Sequence, residues 1–265
     1  MRIRSDLRAR DYLATEGLLD LLRNFDPLYY PRNESIVDNV KDSPPISPDY
    51  QDLARIHNLI RTRKCINVLE LGSGFSTLVI ADALAKNSQD IDRSLTNTKL
   101  RRENPFTLTS IDESKKWMEL SQSRIPITLA GKINFQLTSV ILGEINGKPC
   151  TFYLDLPNSG FDLFYIDGPS QYAVLGKDAL GFSIANPDRM PMSGDILRIE
   201  HFIQPGSLVL FDGRVANARF FKSNMQRSWK MVSKRYSDQT LFIQSEKSLG
   251  KHNDRFLSYF GPIAF

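Results

Sequence analysis

Carboxylate side chains close four of the five apolar runs that occupy the middle of this 265-residue chain. Glu70 lies at the end of "INVLEL", Asp112 ends "FTLTSID", Asp167 ends "FDLFYID" and Asp212 ends "GSLVLFD". Ser139 lies in the remaining run, "INFQLTSV", which is the third along the chain. If these runs are parallel strands, their carboxyl ends meet at one edge of a sheet, where ligands bind in such folds. Carboxylates there accept hydrogen bonds from hydroxyl groups and attract cations. The five residues therefore predict a ligand site.

The secondary structure that positions these residues is predicted from the alternation of two kinds of sequence segment. From Cys65 onward, short apolar runs alternate with amphipathic segments, which indicates an open parallel sheet with helices on both faces. The last two runs, "KMVSKRY" and "TLFIQS", are separated by only residues 237–239 and predict an antiparallel pair. We therefore predict an α/β fold: a Rossmann-like, doubly wound, seven-stranded sheet, mostly parallel, with an antiparallel C-terminal hairpin.

Further segments are predicted from apolar spacing and turn-forming residues. Ser47 and Pro48 are typical of an N-cap and a first-turn proline, ahead of a helix that would bury Leu53, Ile56 and Ile60. Helices are also predicted at 6–25, after the first strand to about Lys86, at 171–185 and at 195–203, with a polar surface insertion at 87–104. The expected organisation is an N-terminal helical cap or lid (1–46), a catalytic domain (47–246) and a C-terminal tail (247–265).

Composition narrows the class of protein. The net charge is +4, from 34 basic and 30 acidic residues, and the basic residues are scattered, which argues against nucleic-acid binding. Two cysteines form neither a disulfide framework nor a metal pattern. The charged N-terminus lacks the core of a signal peptide, and no apolar stretch reaches the roughly 18 residues of a membrane span. We expect a cytoplasmic protein without membrane insertion, whose histidines are surface or packing residues.

The turn after the first strand, "GSGFST", suits an anion but departs from a dinucleotide fingerprint. Gly72 and Gly74 permit a tight turn and close approach of a ligand, and the helix N-terminus near Ser76 favours an anion. Thr77 stands where the fingerprint has its third glycine. Glu70 would place negative charge beside a pyrophosphate. The turn therefore favours a ligand that carries a cation beside its anion, such as an amino acid group.

Asp112 is predicted to accept hydrogen bonds from ribose hydroxyls, as the acid after the second strand does in this architecture. It lies 38 positions beyond Gly74, against about 20 for the usual acid. The polar insertion accounts for the difference. Capping of the helix that begins with "DESKKW" is an alternative role, and both roles are compatible.

With "VLELGSGFST", "LTSIDES", "FDLFYIDGPSQY", "PGSLVLFDGR" and the final hairpin, residues 47–245 resemble the class I S-adenosylmethionine-dependent methyltransferases, above all their small-molecule O-methyltransferase branch. The resemblance implies a seven-stranded sheet whose last strand is antiparallel. It further implies that the turn after the first strand binds the methionine part of S-adenosylmethionine (SAM), that Asp112 binds the ribose, and that Ser139 lies near the adenine. The candidate cofactor contacts are Glu70, Gly72, Ser73, Gly74, Ser76, Thr77, Asp112, Ser139 and Asp167.

The fourth and fifth strand ends bear on the chemistry. Asp167-Gly168 has the "DG" form of the O-methyltransferase branch, whose metal-dependent members hold a divalent cation with this aspartate and an Asp-Asp or Asp-Asn pair after the fifth strand. Here that pair is Asp212-Gly213, followed by Arg214, so one oxygen ligand is missing. Two routes stay open: Asp167 and Asp212 hold Mg²⁺ or another divalent cation, which would orient the hydroxyl and lower its pKa, or Asp167 is a general base without metal. In the second route Arg214 pairs with Asp212 or with an anionic substrate.

The sequence therefore predicts an enzyme that transfers a methyl group from SAM to a hydroxyl of a small molecule, such as a sugar, a polysaccharide precursor or a secondary metabolite. The candidate catalytic residues are Asp167, Asp212 and Arg214. An aminopropyltransferase-like enzyme and a non-catalytic binding or scaffold protein of the same fold are the alternatives. The expected partner is the small-molecule acceptor, and a homodimer stays open.

Overall fold

A computed structural model describes residues 5–25, 47–94, 102–170, 173–178, 180–184, 192–233 and 238–264 of the chain. The α-helices of these residues are α1 (Asp6–Thr15), α2 (Leu19–Arg23), α3 (Tyr50–Arg63), α4 (Phe75–Ser94), α5 (Lys115–Ser123), α6 (Ile127–Ala130), α7 (Asp195–Ile199), α8 (Val215–Asn224) and α9 (Lys251–Tyr259), and a 3₁₀ helix covers Glu200–Phe202. The strands are β1 (Asn67–Leu71), β2 (Thr107–Asp112), β3 (Ile133–Leu137), β4 (Val140–Ile145), β5 (Lys148–Tyr153), β6 (Leu163–Ile166), β7 (Val174–Leu175), β8 (Leu208–Phe211), β9 (Trp229–Ser233) and β10 (Thr240–Gln244).

The main sheet has the strand order β3-β2-β1-β6-β8-β10-β9. Strands β3, β2, β1, β6 and β8 pair in parallel, and β10 runs antiparallel to both β8 and β9. This confirms the predicted seven-stranded, mostly parallel sheet, and the antiparallel last strand is the one that the resemblance to class I methyltransferases implies. The chain runs from β1 outward to β3, then returns to β6 on the other side of β1. The switch point between β1 and β6 is where such sheets bind ligands.

Helices cover both faces of this sheet, as predicted. Alternate residues of each strand point to opposite faces. Val68 and Leu210 pack among residues of α1, α2, α3 and α4 on one face. Leu69 and Phe211 pack against α7 and α8 on the other face. Each fully buried side chain of this kind contributes about 1.5–3 kcal/mol, so the two layers hold the strand ends in fixed positions.

The N-terminal helices belong to the first of these layers. Ala9 and Leu13 of α1 are fully buried against the α3–α4 side. His57 of α3 is also fully buried, between the Tyr12 hydroxyl (2.7 Å) and the Asp82 carboxylate (2.9 Å). This arrangement agrees with the predicted packing role of His57. It also means that α1 is fixed to the core.

Several predicted helix boundaries are wrong, each for a local reason. The helix predicted at 6–25 is divided, because Gly17 adopts a left-handed φ of +76° after α1. The N-cap of α3 is Asp49 rather than Ser47, since its carboxylate accepts from the N–H groups of Gln51 and Asp52. The burial of Leu53, Ile56 and Ile60 in this helix is confirmed: they are 5%, 0% and 0% exposed.

The surface insertion predicted at 87–104 is also wrong in its first part. Helix α4 continues to Ser94, two turns beyond Lys86. Asn87 is buried, and its amide donates to the carbonyls of Ile60 and Cys65 at the end of α3. Ile91 packs in a small apolar cluster with Phe256 of α9. Residues 95–101 lie outside the described part of the chain.

A second, three-stranded sheet, β5-β4-β7, was not predicted. Its hairpin turns at Asn146 and Gly147, which both have positive φ (52° and 69°), as a type I′ turn requires. The helix predicted at 171–185 is absent from its described residues, 173–178 and 180–184. Instead Val174 and Leu175 pair with β4, and Gly176 has a φ of +96°, which a helix interior excludes.

Residues 26–46, the second part of the predicted N-terminal cap, lie outside the described residues. Helix α9 lies within the predicted tail, and its Phe256 is 8% exposed. Among the described helices, none combines the length and hydrophobicity needed to cross a bilayer.

Candidate functional site

A cavity of about 460 Å³ lies at the switch point, outside the carboxyl ends of the parallel strands. This volume is in the range of small-molecule sites, ~300–1,000 Å³. Its walls come from the loops after β1, β2, β6 and β8 and from the start of α3. The lining residues are Ser47, Pro48, Asp49, Asp52, Leu53, Gly72, Ser73, Gly74, Phe75, Ser76, Asp112, Glu113, Trp117, Arg124, Tyr165, Asp167, Gly168, Ser170, Asp212 and Arg214.

The two glycines of the loop after β1 have different roles. Gly72 has a φ of +97°, and a Cβ built on it would lie 2.8 Å from the backbone nitrogen of Gly168. The loops after β1 and β6 therefore pack backbone against backbone at Gly72. At Gly74 the nearest atom to such a Cβ is Ser76 Oγ, 3.9 Å away, and Gly74 lines the cavity. The space beside Gly74 is therefore open to a ligand.

Glu70 lies beneath this loop and not on the cavity wall. It is fully buried, and its carboxylate accepts from the hydroxyls of Ser76 (2.6 Å), Thr77 (2.7 Å) and Ser110 (2.6 Å). Burial raises the pKa of Glu70 to about 7, while the three hydroxyl groups oppose this rise. Glu70 therefore joins the first turn of α4 to β2. In this structure Glu70 contacts the loop that lines the cavity, and its predicted contact with the cofactor stays a prediction.

Asp112 and Glu113 fix the opposite wall. Asp112 accepts from the N–H groups of Ser73 (2.7 Å) and Ser114 (2.7 Å), so it connects the loop after β1 to the start of α5. Burial raises the pKa of Asp112 to about 6. The N-cap of α5 is Ser114, whose hydroxyl accepts from the N–H of Trp117. Each Asp112 oxygen keeps a lone pair for a ligand hydroxyl.

Glu113 was missed by the sequence analysis. Its carboxylate accepts from the Tyr153 hydroxyl (2.9 Å) and from the N–H of Ser170 (2.8 Å). It therefore connects the end of β2 to the loop after β6. Its position next to Asp112 was the signal that could have identified it.

Asp167 and Arg214 form an ion pair at the cavity floor, with Nε and Oδ1 3.6 Å apart. The sequence left open a pairing of Arg214 with Asp212; among the described residues, the ion pair that Arg214 forms is with Asp167. Surrounding protein desolvates Asp167 and raises its pKa to about 7, and Arg214 opposes the rise. About half of the Asp167 side chain (52%) is open to the cavity, so water screens part of this desolvation until a ligand fills the space.

Three carboxylates converge beside this pair, with ligand oxygens of Asp52, Asp212 and Asp238 within 4.8 Å of one another. The Tyr165 hydroxyl donates to Asp212. Burial and the neighbouring carboxylates raise the pKa of Asp52 to about 8, and burial raises the pKa of Asp212. The three carboxylates form one of two groups among the described residues that could hold a cation; the other is Glu16, His57 and Asp82. Asp167, tied to Arg214, is not among them.

Most of the predicted site residues meet in this cavity. Gly72, Ser73, Gly74, Ser76, Asp112, Asp167, Asp212 and Arg214 line it. Thr77 lies behind the loop, where its hydroxyl also accepts from the N–H of Gly74 (3.0 Å). Ser139 is exposed, directly precedes β4 and does not line the cavity; its proximity to adenine stays a prediction. Asp49, Asp52, Trp117, Arg124 and Tyr165 were not predicted, because no strand end or glycine turn marks them.

The sheet order defines a Rossmann-like α/β protein with a cavity at the switch point. No protein-family model and no curated protein matches the chain. One similar solved structure is the methyltransferase PaMTH1 of Podospora anserina bound to SAH (S-adenosylhomocysteine), with 14% identity and a TM-score of 0.47 over 87% of this chain and 88% of that chain. A second is an O-methyltransferase of Bacillus cereus in complex with SAH, with 14% identity and a TM-score of 0.40 over 92% of each chain. A third is a methyltransferase of Geobacter sulfurreducens, with 13% identity and a TM-score of 0.41 over 92% of this chain and 99% of that chain. At these identities and TM-scores, the similarity carries no activity or substrate over to this chain.

Proposed function

We propose that this protein is a SAM-dependent methyltransferase that acts on a hydroxyl group of a small molecule. The observation that carries the proposal is the cavity wall at Gly74 and Asp112. Gly74 leaves open space where a side chain would otherwise stand, and the carboxylate of Asp112 lines the same cavity. A flat nucleoside with ribose hydroxyls fits this combination of a side-chain-free loop and a paired acceptor.

The chain's residues also fit the amino acid part of SAM. The N-terminus of α4, a helix of 20 residues, favours the carboxylate through its unpaired N–H groups and dipole. The carboxylates of Asp112, Glu113 and Asp167 on the facing walls favour the positive charges of the sulfonium and ammonium groups. Glu70 and Thr77 would act indirectly by holding the loop in shape.

When bound, SAM supplies an electrophilic methyl group that an oxygen nucleophile displaces in one step. The remaining tasks for the protein are to align the acceptor hydroxyl and to take its proton. Asp167 suits the second task, because a pKa raised to about 7 is close to working pH. Arg214, which also donates to the carbonyl of Pro169 (2.9 Å), fixes the carboxylate in place.

We propose that this proton transfer needs no metal. Arg214 already supplies positive charge beside Asp167, so the pair predicted to hold a cation, Asp167 and Asp212, is divided. The convergence of Asp52, Asp212 and Asp238 is the observation that favours the metal-dependent alternative.

A transfer assay with SAM labelled in its methyl group tests the proposal. The acceptors tested are monosaccharides, nucleotide sugars and phenols. A parallel assay with polyamines and decarboxylated SAM tests for aminopropyl transfer. We expect labelled product from a hydroxyl acceptor, and a turnover ~10²–10⁴-fold lower for Asp167→Asn, measured at saturating SAM because Asp167 also faces the cofactor's positive charges. Aminopropyl transfer would assign the alternative enzyme. SAH binding without transfer to any of the acceptors tested would favour the scaffold role.

A further inference from the structure

Arg124, just beyond the end of α5, is a buried cation without a counter-charge on the cavity wall. The residue is 5% exposed. No carboxylate or carbonyl of the described residues pairs with its guanidinium, and its Nε has no hydrogen-bond partner. Its packing partner is the ring of Phe75, 3.9 Å below the guanidinium carbon. Burial lowers the pKa of Arg124, but a guanidinium stays charged at neutral pH.

The chain holds Arg124 in this place from two sides. The hydroxyl of Ser121, one turn earlier and 1% exposed, donates to the carbonyl of Gly74 (3.2 Å). This bond fixes α5 against the loop after β1. Phe75 is the first residue of α4, so the guanidinium lies beside the N-terminus of that helix. Two independent features, a helix N-terminus and an unpaired buried cation, therefore favour an anion at one end of the cavity.

Among the described residues, the arginines that line this cavity are Arg124 and Arg214. They differ in whether a carboxylate pairs with the guanidinium. Arg214 is paired with Asp167. Apart from Tyr165, the other ionisable side chains of the wall are carboxylates: Asp49, Asp52, Asp112, Glu113, Asp167 and Asp212. A ligand that complements this wall carries one anionic group for Arg124 and positive charge for the acidic region.

We propose that Arg124 binds the α-carboxylate of the cofactor and makes the protein select SAM over its decarboxylated form. This inference rests on the proposed function, since it assigns a residue to one group of the same ligand. A guanidinium binds a carboxylate through two parallel N–H···O bonds, and the α4 N-terminus adds to the attraction. The contact would favour the methyl donor over the aminopropyl donor, which lacks this carboxylate.

Calorimetry with two ligands tests the inference without an acceptor. One ligand is S-adenosylhomocysteine (SAH), and the other is its decarboxylated analogue, which keeps the nucleoside, the sulfur and the amine. We expect the wild-type protein to bind SAH ~10–100-fold more tightly than the analogue. Arg124→Gln should lose this preference, with the analogue bound within about 2-fold of the wild type, and Arg124→Lys should keep part of the preference.

Arg10→Gln is the matched control, because Arg10 also stacks on an aromatic ring, that of Tyr50 at 4.0 Å, but does not line the cavity. Thermal unfolding without ligand checks that each variant folds, and Arg124→Lys serves if Arg124→Gln does not. Equal weakening of both ligands by Arg124→Gln would overturn the inference, and so would unchanged SAH affinity, including a case in which only acceptor binding suffers. Absence of SAH binding by the wild type would instead overturn the proposed function itself.

Discussion

Alanine at Gly72 and alanine at Gly74 should have opposite effects, although the two residues are neighbours in one loop. At Gly72 the φ of +97° is unfavourable for a residue with a Cβ, which costs about 1–3 kcal/mol. The new Cβ would also lie 2.8 Å from the Gly168 nitrogen, and overpacking of this kind costs about 1–3 kcal/mol more. The expected destabilisation, roughly 2–6 kcal/mol, is a large part of a typical ~5–15 kcal/mol of stability.

At Gly74 the φ is not in the left-handed region and the nearest atom to the new Cβ is 3.9 Å away. The change in unfolding free energy should therefore stay within about 0.5 kcal/mol. The methyl group would occupy the space proposed for the cofactor, and a steric conflict of about 1–3 kcal/mol corresponds to ~5–150-fold weaker SAH binding.

Urea unfolding and SAH calorimetry on both variants measure these two quantities separately. The expected pattern is an unstable Gly72→Ala and a stable Gly74→Ala with weak SAH binding. Wild-type affinity in Gly74→Ala would refute the placement of the ligand against this loop. Wild-type stability in Gly72→Ala would refute the packing of the loops after β1 and β6.

Two other predictions concern the acidic end of the cavity. The pKa of Asp52 is raised to about 8 from an unfolded value of about 3.9. The neutral Asp52 carboxyl therefore makes its full contribution to the stability of the folded protein below pH ~4, and this contribution is lost as the pH rises through ~8. Asp52→Asn should therefore melt above the wild type at pH 8, by a gap that closes toward pH 4; a gap independent of pH would contradict this origin. EDTA should leave the rate of methyl transfer unchanged. If EDTA instead abolished the activity, Mg²⁺ restored it, and Asp238→Asn prevented this restoration, a cation would be assigned to the cluster of Asp52, Asp212 and Asp238.

The central strands were predictable because burial on both faces leaves an unambiguous sequence pattern. Strands β1, β6 and β8 are uninterrupted apolar runs apart from Asn67, Glu70 and Tyr165, and nearly every residue in them is buried. The β4–β5 hairpin is partly exposed and includes charged residues, so periodicity missed it. Its Asn146-Gly147 turn was a local signal for a hairpin. The apolar spacing at 171–185 indicated a helix, but the left-handed Gly176 and the pairing with β4 exclude one there.

The site was predictable where a strand end fixes a residue in the cavity, as for Asp112, Asp167 and Asp212. It was not predictable where tertiary packing decides. The burial of Glu70 under three hydroxyls depends on the pairing of β1 with β2 that sets Glu70 beside Ser110, and the sequence does not give this register. Arg124 reaches the cavity because Ser121 attaches α5 to the loop after β1. Neither contact has a sequence signature.

Calorimetric titration of SAH into the wild-type protein and into Asp112→Ala tests the central claim most directly. The two carboxylate oxygens of Asp112 accept hydrogen bonds from the loops that form the cavity. Asp112 is proposed to bind the ribose. We predict one SAH site per chain in the wild type, and at least about 10-fold weaker binding in Asp112→Ala, because the charge-assisted hydrogen bonds are lost. No heat of binding in the wild type, or equal affinity in the two proteins, would contradict the account.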